Sequence, residues 1–312
     1  MSKNQREGSI EEILEGIISE LYGEPQPFPD NIETKSSGEK VLGIIAPRKV
    51  LAYDSNGNLK ELCKINPLFK DEFKPRIVDA IPVDKKLVYA VLKKDDTTSI
   101  YYGDQKLAKV PSRVTTLFLL PPGYFSEEEN ILIGTVSGKI YVLDKDGKIK
   151  EIGKRTGEVT DFIAYKDRVL DCGYYTGPVD TLNNEVAFRL GCASYRMGIF
   201  QDALVVAHDK GVIFPESERM IKTYYPVTDL ATDGSLLYYT YNGDIARYPG
   251  TKLAEEPYVD VKLALIDRTL YHFSSYNKAI LNTLSGTKIV EDIPDIVRLR
   301  TFPRKILEDI KV

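Results

Sequence analysis

Ile131-Leu132-Ile133-Gly134-Thr135-Val136-Ser137-Gly138-Lys139-Ile140-Tyr141-Val142-Leu143-Asp144-Lys145-Asp146-Gly147-Lys148-Ile149 reads as strand, turn, strand, turn and the start of a third strand. Aliphatic and aromatic residues fill the runs, while Ser137-Gly138 and Asp146-Gly147 supply the positive φ that tight hairpins need. Working outward, the same apolar marker recurs at Leu42, Leu87, Leu132, Leu170, Leu204, Leu237 and Leu270, at spacings of 45, 45, 38, 34, 33 and 33. A second strand follows several markers, as at Lys49 to Asp54, Ser99 to Asp104 and Asp244 to Pro249, and Asn56-Gly57 and Asn242-Gly243 repeat the turn chemistry. A third appears at Asn58 to Leu62 and Lys288 to Glu291. A further β-rich stretch precedes each marker from Leu87 onward: Ile77 to Pro82, Val114 to Leu120, Val159 to Ala164, Ala193 to Ile199, Val227 to Thr232 and Val261 to Ile266.

Leu42 alone has no such stretch before it. Asp295-Ile-Val-Arg-Leu-Arg-Thr-Phe302, at the far end, is a strand without a partner. The expected fold is therefore all-β: a seven-bladed β-propeller in which strands from both termini share one blade, leaving no open edge. Paired sandwich domains would repeat at about 100 residues instead. Three segments follow: 1–39 as helix and linker, 40–302 as propeller, and 303–312 as a short helix or tail.

Hydrophobic residues at 43% and charged residues at 28% describe an ordinary soluble composition, and the net charge is −4. That balance carries no global field for a polyanion, which argues against nucleic acid. No apolar run approaches the ~20 residues of a membrane span, and Met1 to Ser9 lacks the apolar stretch of a secretion signal, so a cytoplasmic location is expected. Four glutamines and three methionines beside many Lys, Glu and Ile suit a thermophilic source. Cys63, Cys172 and Cys192 form no Cys-x-x-Cys pair; they read as buried thiols, with a Cys172–Cys192 bond as the other option.

The unit Ile131–Ile149 resembles the repeat of quinoprotein-like propellers, and Val227 to Tyr239 resembles blades of the WD-repeat group. With no tryptophan in the chain, the Trp-Asp dipeptide is absent. The likeness implies a shape, and shape does not fix function.

Ser9 to Tyr22 is expected as an amphipathic helix. Ser9 and Glu12 form a capping box, and Ile10, Ile13, Leu14, Ile17, Ile18 and Leu21 make one apolar stripe that packs on its own propeller or on a partner. Arg298, Arg300, Arg304 and Lys305 read as a solvated basic surface.

No phosphate loop, dinucleotide fingerprint, zinc-protease helix or nucleophile elbow occurs. His208 and His272 fall in strands of different blades and read as packing residues. No metal or cofactor is expected. Asp79, Asp161 and Asp229, each eight residues before its blade's marker region, share that offset with Arg196 and Lys262, so all five converge on the channel. They could bind a cation or a polar ligand or act as acid and base, or the aspartates could cap backbone amides at the blade turns and neutralise neighbouring cations. The pairs Tyr101-Tyr102, Tyr174-Tyr175, Tyr224-Tyr225 and Tyr238-Tyr239 are expected in strands, one ring to each face. The leading expectation is a non-catalytic scaffold for protein–protein interaction within a larger assembly, with Asn66 to Lys74 and Pro121 to Asn130 as contact loops. The alternative is a channel hydrolase or lyase acting on a polar small molecule, and a quinone or sugar binder is a weaker third.

Overall fold

Asp144 shows how the local sequence builds the hairpins. Its Oδ1 accepts the backbone N–H groups of Asp146 (3.0 Å) and Lys148 (2.8 Å), while Gly147 takes φ +83°. Asp54 does the same for Asn56 (2.9 Å) and Asn58 (2.8 Å) before Gly57 at φ +86°. These side chains replace backbone partners at the turn, and glycine accepts a conformation that strains other residues. Asn242-Gly243, with φ +49° and +87°, closes a two-residue turn of the kind whose twist matches the strands.

The computed structural model describes residues 39–54, 56–65, 75–255, 261–274, 280–283, 288–290 and 296–310. The chain divides into two units, Met1–Ser36 and Ser37–Val312. The expected helix Ser9 to Tyr22, with its stripe Ile10, Ile13, Leu14, Ile17, Ile18 and Leu21, and the loop Asn66 to Lys74 lie outside the described residues. The other contact loop, Pro121 to Asn130, is described and mostly exposed.

The described strands form seven four-stranded antiparallel sheets. Numbered along the chain, their innermost strands are Arg298–Pro303 (sheet 1), Arg76–Val83 (2), Val114–Leu120 (3), Val159–Tyr165 (4), Ser194–Phe200 (5), Val227–Thr232 (6) and Val261–Ile266 (7). In sheet 1 the last strand of the chain pairs with the first described one. Lys40 lies opposite Pro303, Gly43 opposite Arg300 and Ile45 opposite Arg298. The closing strand runs from Arg298 to Pro303, later than Asp295 to Phe302, and a short helix follows at Ile306–Asp309.

Seven apolar clusters, one between each adjacent pair of sheets, hold this arrangement together. One joins Phe302, Val41 and Ile45 of sheet 1 to Ile77 and Leu87 of sheet 2. The circuit ends where Ala264 and Phe273 of sheet 7 meet Leu42, Ile44 and Leu299 of sheet 1. Where a sheet is covered on both faces its strands are nearly continuous apolar runs, as in the fully buried Asn130–Thr135, while the outermost strands, such as Ile149–Lys154 and Thr251–Glu255, are largely polar and exposed. The molecule is an all-β propeller.

Two of the four tyrosine pairs depart from expectation. Tyr238 and Tyr239 are buried within a strand, and Tyr101-Tyr102 also lies in one. Tyr174-Tyr175 instead makes the turn between Arg168–Gly173 and Thr176–Asp180, and Tyr224-Tyr225 lies between Arg219–Lys222 and Val227–Thr232. No pleat buries these rings, and all four are exposed. The cysteines are free thiols, so the Cys172–Cys192 bond is not formed. Burial pushes the Cys63 thiol up to about 12, and Cys172 further still. Among the described residues, no helix is long and apolar enough to cross a membrane.

Candidate functional site: the charged channel ring

Five consecutive innermost strands, those of sheets 2 to 6, shift register at one place. The shifts fall between Ile77 and Asp79, Val114 and Thr116, Val159 and Asp161, Ser194 and Arg196, and Val227 and Asp229. A bulge of this kind bends the strand and re-aims the side chain that follows. That side chain is Asp79, Thr116, Asp161, Arg196 or Asp229. Lys262 of sheet 7 lies opposite Phe273 with no shift beside it, and Arg298 and Arg300 enter from the closing strand.

Aspartate alternates with other residues around the ring, and each aspartate reaches the following sheet. Asp79 Oδ2 accepts from Leu117 N (2.8 Å), Asp161 Oδ2 from Met197 N (3.0 Å), and Asp229 Oδ2 from Leu263 N (2.9 Å). Each donor is the residue directly after the ring position of its own sheet. Thr115 and Thr160, at the bulges, donate likewise to Val159 O (2.5 Å) and Ser194 O (2.8 Å). These bonds satisfy innermost backbone groups that a sheet ladder cannot reach, and they tie one sheet to the next.

The cations complete the pattern. Arg196 Nε lies 3.7 Å from Asp161 Oδ2 and 3.6 Å from Asp229 Oδ1, bridging sheets 4 and 6. Arg300 grips Asp79 with Nε on Oδ1 (2.8 Å) and Nη2 on Oδ2, and also donates to Leu117 O (2.8 Å). Arg298 donates to Asp79 Oδ2 (3.2 Å), Thr116 Oγ1 (2.8 Å) and Thr160 O (3.2 Å), touching sheets 2, 3 and 4 from sheet 1. Arg298 and Arg300 are thus not the solvated surface expected of them: their side chains are 15% and 17% exposed. Period-2 alternation on the closing strand sets them on one side, with Leu299 buried on the other. That alternation is the signal that proximity to Arg304 and Lys305 obscured.

Burial of Asp79 works against its ionisation, but the Arg300 and Arg298 guanidiniums outweigh it and hold the carboxyl below the usual carboxylate range. Arg196 is desolvated too, yet Asp161 and Asp229 push its pKa up. For Arg298, burial and the repulsion of Arg300 and Arg196 win over the attraction of Asp79, and its pKa falls. At the channel mouth, burial raises Glu158 against the pull of Arg113 and Arg298. A general acid needs a carboxyl raised towards neutrality; Asp79 moves the other way. His208 is buried in its strand, accepts from Lys210 N at Nδ1 (3.1 Å), and is pushed down by desolvation. His272 is buried in the second strand of sheet 7, Thr269–Ser274. No group of three or more His, Cys, Asp or Glu among the described residues is arranged to hold a metal.

Between loops of sheets 3 and 4, a cleft of about 400 Å³ is lined by Tyr124, Asp167, Arg168, Asp180 and Asn183. Asp180 caps a turn there, accepting from Leu182 N (3.2 Å) and Asn183 N (3.1 Å).

No family model matches the chain, and no curated protein sequence matches it. Solved structures do. The WD40 β-propeller domain of Doa1 superimposes with a TM-score of 0.57 at 9% identity, over 78% of this chain and 89% of that one. A chain of the mitotic checkpoint complex gives 0.55 at 13%, over 87% and 96%. Sqt1 of Saccharomyces cerevisiae gives 0.52 at 9%, over 83% and 86%. At these identities the likeness establishes the β-propeller fold, with a WD40 propeller domain among its neighbours.

Proposed function

We propose that the chain is a non-catalytic, seven-bladed scaffold for protein–protein interaction within a larger assembly. One observation carries this reading: Asp79, Asp161 and Asp229, with Arg196, Arg298 and Arg300, are committed to one another and to the backbone. All three ring aspartates accept a backbone N–H from the next sheet, and arginines lie within 4 Å of each. Groups so engaged rigidify a ring and leave recognition to its faces. The structural neighbours, among them a WD40 β-propeller domain and a chain of the mitotic checkpoint complex, support the same reading.

Tagged full-length chain purified from its native cells should co-elute with one protein partner at fixed stoichiometry in gel filtration. Asp161→Asn should keep that partner, because the amide oxygen still accepts from Met197 N. A chain that runs alone under all conditions, or a partner lost on Asp161→Asn with the fold intact, contradicts the scaffold reading.

A further inference from the structure

The antiparallel topology sends the crossings from one sheet to the next, and the turn between each sheet's second and third strands, to one face. Tyr174-Tyr175 lies in such a turn in sheet 4, and Tyr224-Tyr225 in the crossing from sheet 5 to sheet 6. They are 42%, 70%, 102% and 51% exposed, and among the described residues every exposed tyrosine is one of these four.

A chain of contacts leads from the first pair to the backbone of the second. Tyr174 packs edge-on against Tyr175 (6.1 Å between centroids) and Tyr195 (5.7 Å). Tyr195 donates from Oη to Asp209 Oδ1 (2.5 Å). The next residue, Lys210, accepts at its carbonyl from Thr223 N (3.2 Å), and Thr223 Oγ1 donates to Tyr225 O (2.6 Å). Gly157 floors one end: a Cβ there would come within 2.9 Å of the Tyr175 ring.

The charges of these loops are one-sided. Arg189, Lys210 and Lys222 are exposed in the segments between and beside the tyrosines. Asp209, the carboxylate of the turn that carries Lys210, is engaged by Tyr195 Oη and by Ala193 N (3.2 Å). Glu158, at the flank, is half-buried under the influence of Arg113 and Arg298.

Resting on the scaffold reading, we propose that this sector, Tyr174, Tyr175, Tyr224 and Tyr225 with Lys210 and Lys222, is the docking surface for an extended acidic segment of a partner protein that also carries apolar side chains. Tyrosine buries a large area at little entropic cost and dominates interface energetics, and the basic rim selects the sign of the ligand. Aromatic and basic residues also serve single-stranded nucleic acid, but three exposed cations on a chain of net charge −4 provide little of the phosphate neutralisation such binding needs.

The test is selection of unstructured peptides from a phage-displayed library on the intact chain, with labelled poly-uridine as a competing probe. Enriched peptides should be rich in Asp and Glu with at least one apolar residue. Their affinity should fall about tenfold or more in Tyr175→Ser/Tyr224→Ser, and Lys210→Glu/Lys222→Glu should turn the preference towards basic peptides. All four side chains are exposed, so the unfolding midpoint should not move, which separates lost binding from lost fold. Enrichment of neutral or basic peptides on the native chain, acidic peptides that bind both variants unchanged, or poly-uridine held through these residues in their place would each overturn the proposal. A native partner retained by Tyr175→Ser/Tyr224→Ser would overturn this surface while leaving the scaffold reading standing. The absence of any native partner would remove the scaffold reading instead.

Discussion

Asp79→Ala should lower the unfolding free energy by about 3–5 kcal/mol, the range for removing one partner from a buried charge network. The side chain is 0% exposed and accepts from Ala80 N (2.9 Å), Leu117 N (2.8 Å), both arms of Arg300 and one arm of Arg298. Alanine would orphan two backbone donors and leave two guanidiniums facing each other with no carboxylate between them. Burying charge without compensation costs more than the pair itself contributes, so the loss is set mainly by what remains behind. Asp79→Leu combined with Arg298→Leu and Arg300→Met should therefore recover much of the stability lost in Asp79→Leu alone. The pH dependence has a definite sign. Asp79 is held below its unfolded value, so its contribution is present above the unfolded pKa of about 4 and is lost as pH falls through the folded value. Denaturant midpoints of the native chain and Asp79→Ala should differ widely at neutral pH and converge in acid. A difference under about 1 kcal/mol at neutral pH, typical of an exposed ion pair, would show that the network does not brace the ring.

The circular fold was legible because two kinds of information repeat. Marker leucines return every 33 to 45 residues, and Asn-Gly or Asp-Gly turns separate the strands at matching places. Interactions between repeats were harder to read. Thr116 occupies the ring position of sheet 3, but the insert Pro121 to Asn130 separates it from its marker, so the eight-residue offset misses it. Arg298 and Arg300 have no repeat of their own to be compared with, since their strand arrives from the other end of the chain. Tyr174-Tyr175 looks like strand sequence by composition. It forms a turn, with Tyr174 N donating to Glu158 O (3.1 Å) and Gly173 leaving room where a Cβ would lie 2.2 Å from that oxygen, a tertiary contact that propensity does not encode. Asp79, Asp161 and Asp229 share an offset that the sequence shows, but the backbone N–H groups they accept, those of Leu117, Met197 and Leu263, lie within innermost strands of the following sheets and not at blade turns, a cross-sheet pairing that no single repeat encodes.

Phe302→Ala should cost about 3–5 kcal/mol, the range for truncating a buried phenylalanine, and this site should report on closure more directly than any other core position. Phe302 is 0% exposed on the closing strand, opposite Val41, and packs in the cluster that joins sheets 1 and 2. Its ring also fills the space over Gly43, where a Cβ would lie 2.5 Å from ring carbons. Beyond it, Ile306 is buried in the same cluster, and Lys60 Nζ donates to Leu307 O (2.5 Å) and Ile310 O (2.7 Å), anchoring the chain end to the outermost strand of sheet 1. A cavity here loosens the seam at which the chain's two ends meet, so proteolysis in the native state should cut first near the closing strand. Cavities of similar size elsewhere should not share that pattern, because their strands are held by continuous chain on both sides. Gly43→Ala alone should cost about 1–3 kcal/mol through overpacking. Combined with Phe302→Ala it should cost less than the sum of the two, since the new methyl group enters the space the ring has left. Strictly additive costs, measured by denaturant unfolding of the four-member cycle, would mean that Gly43 and Phe302 do not share a cavity and that the seam is not packed as described.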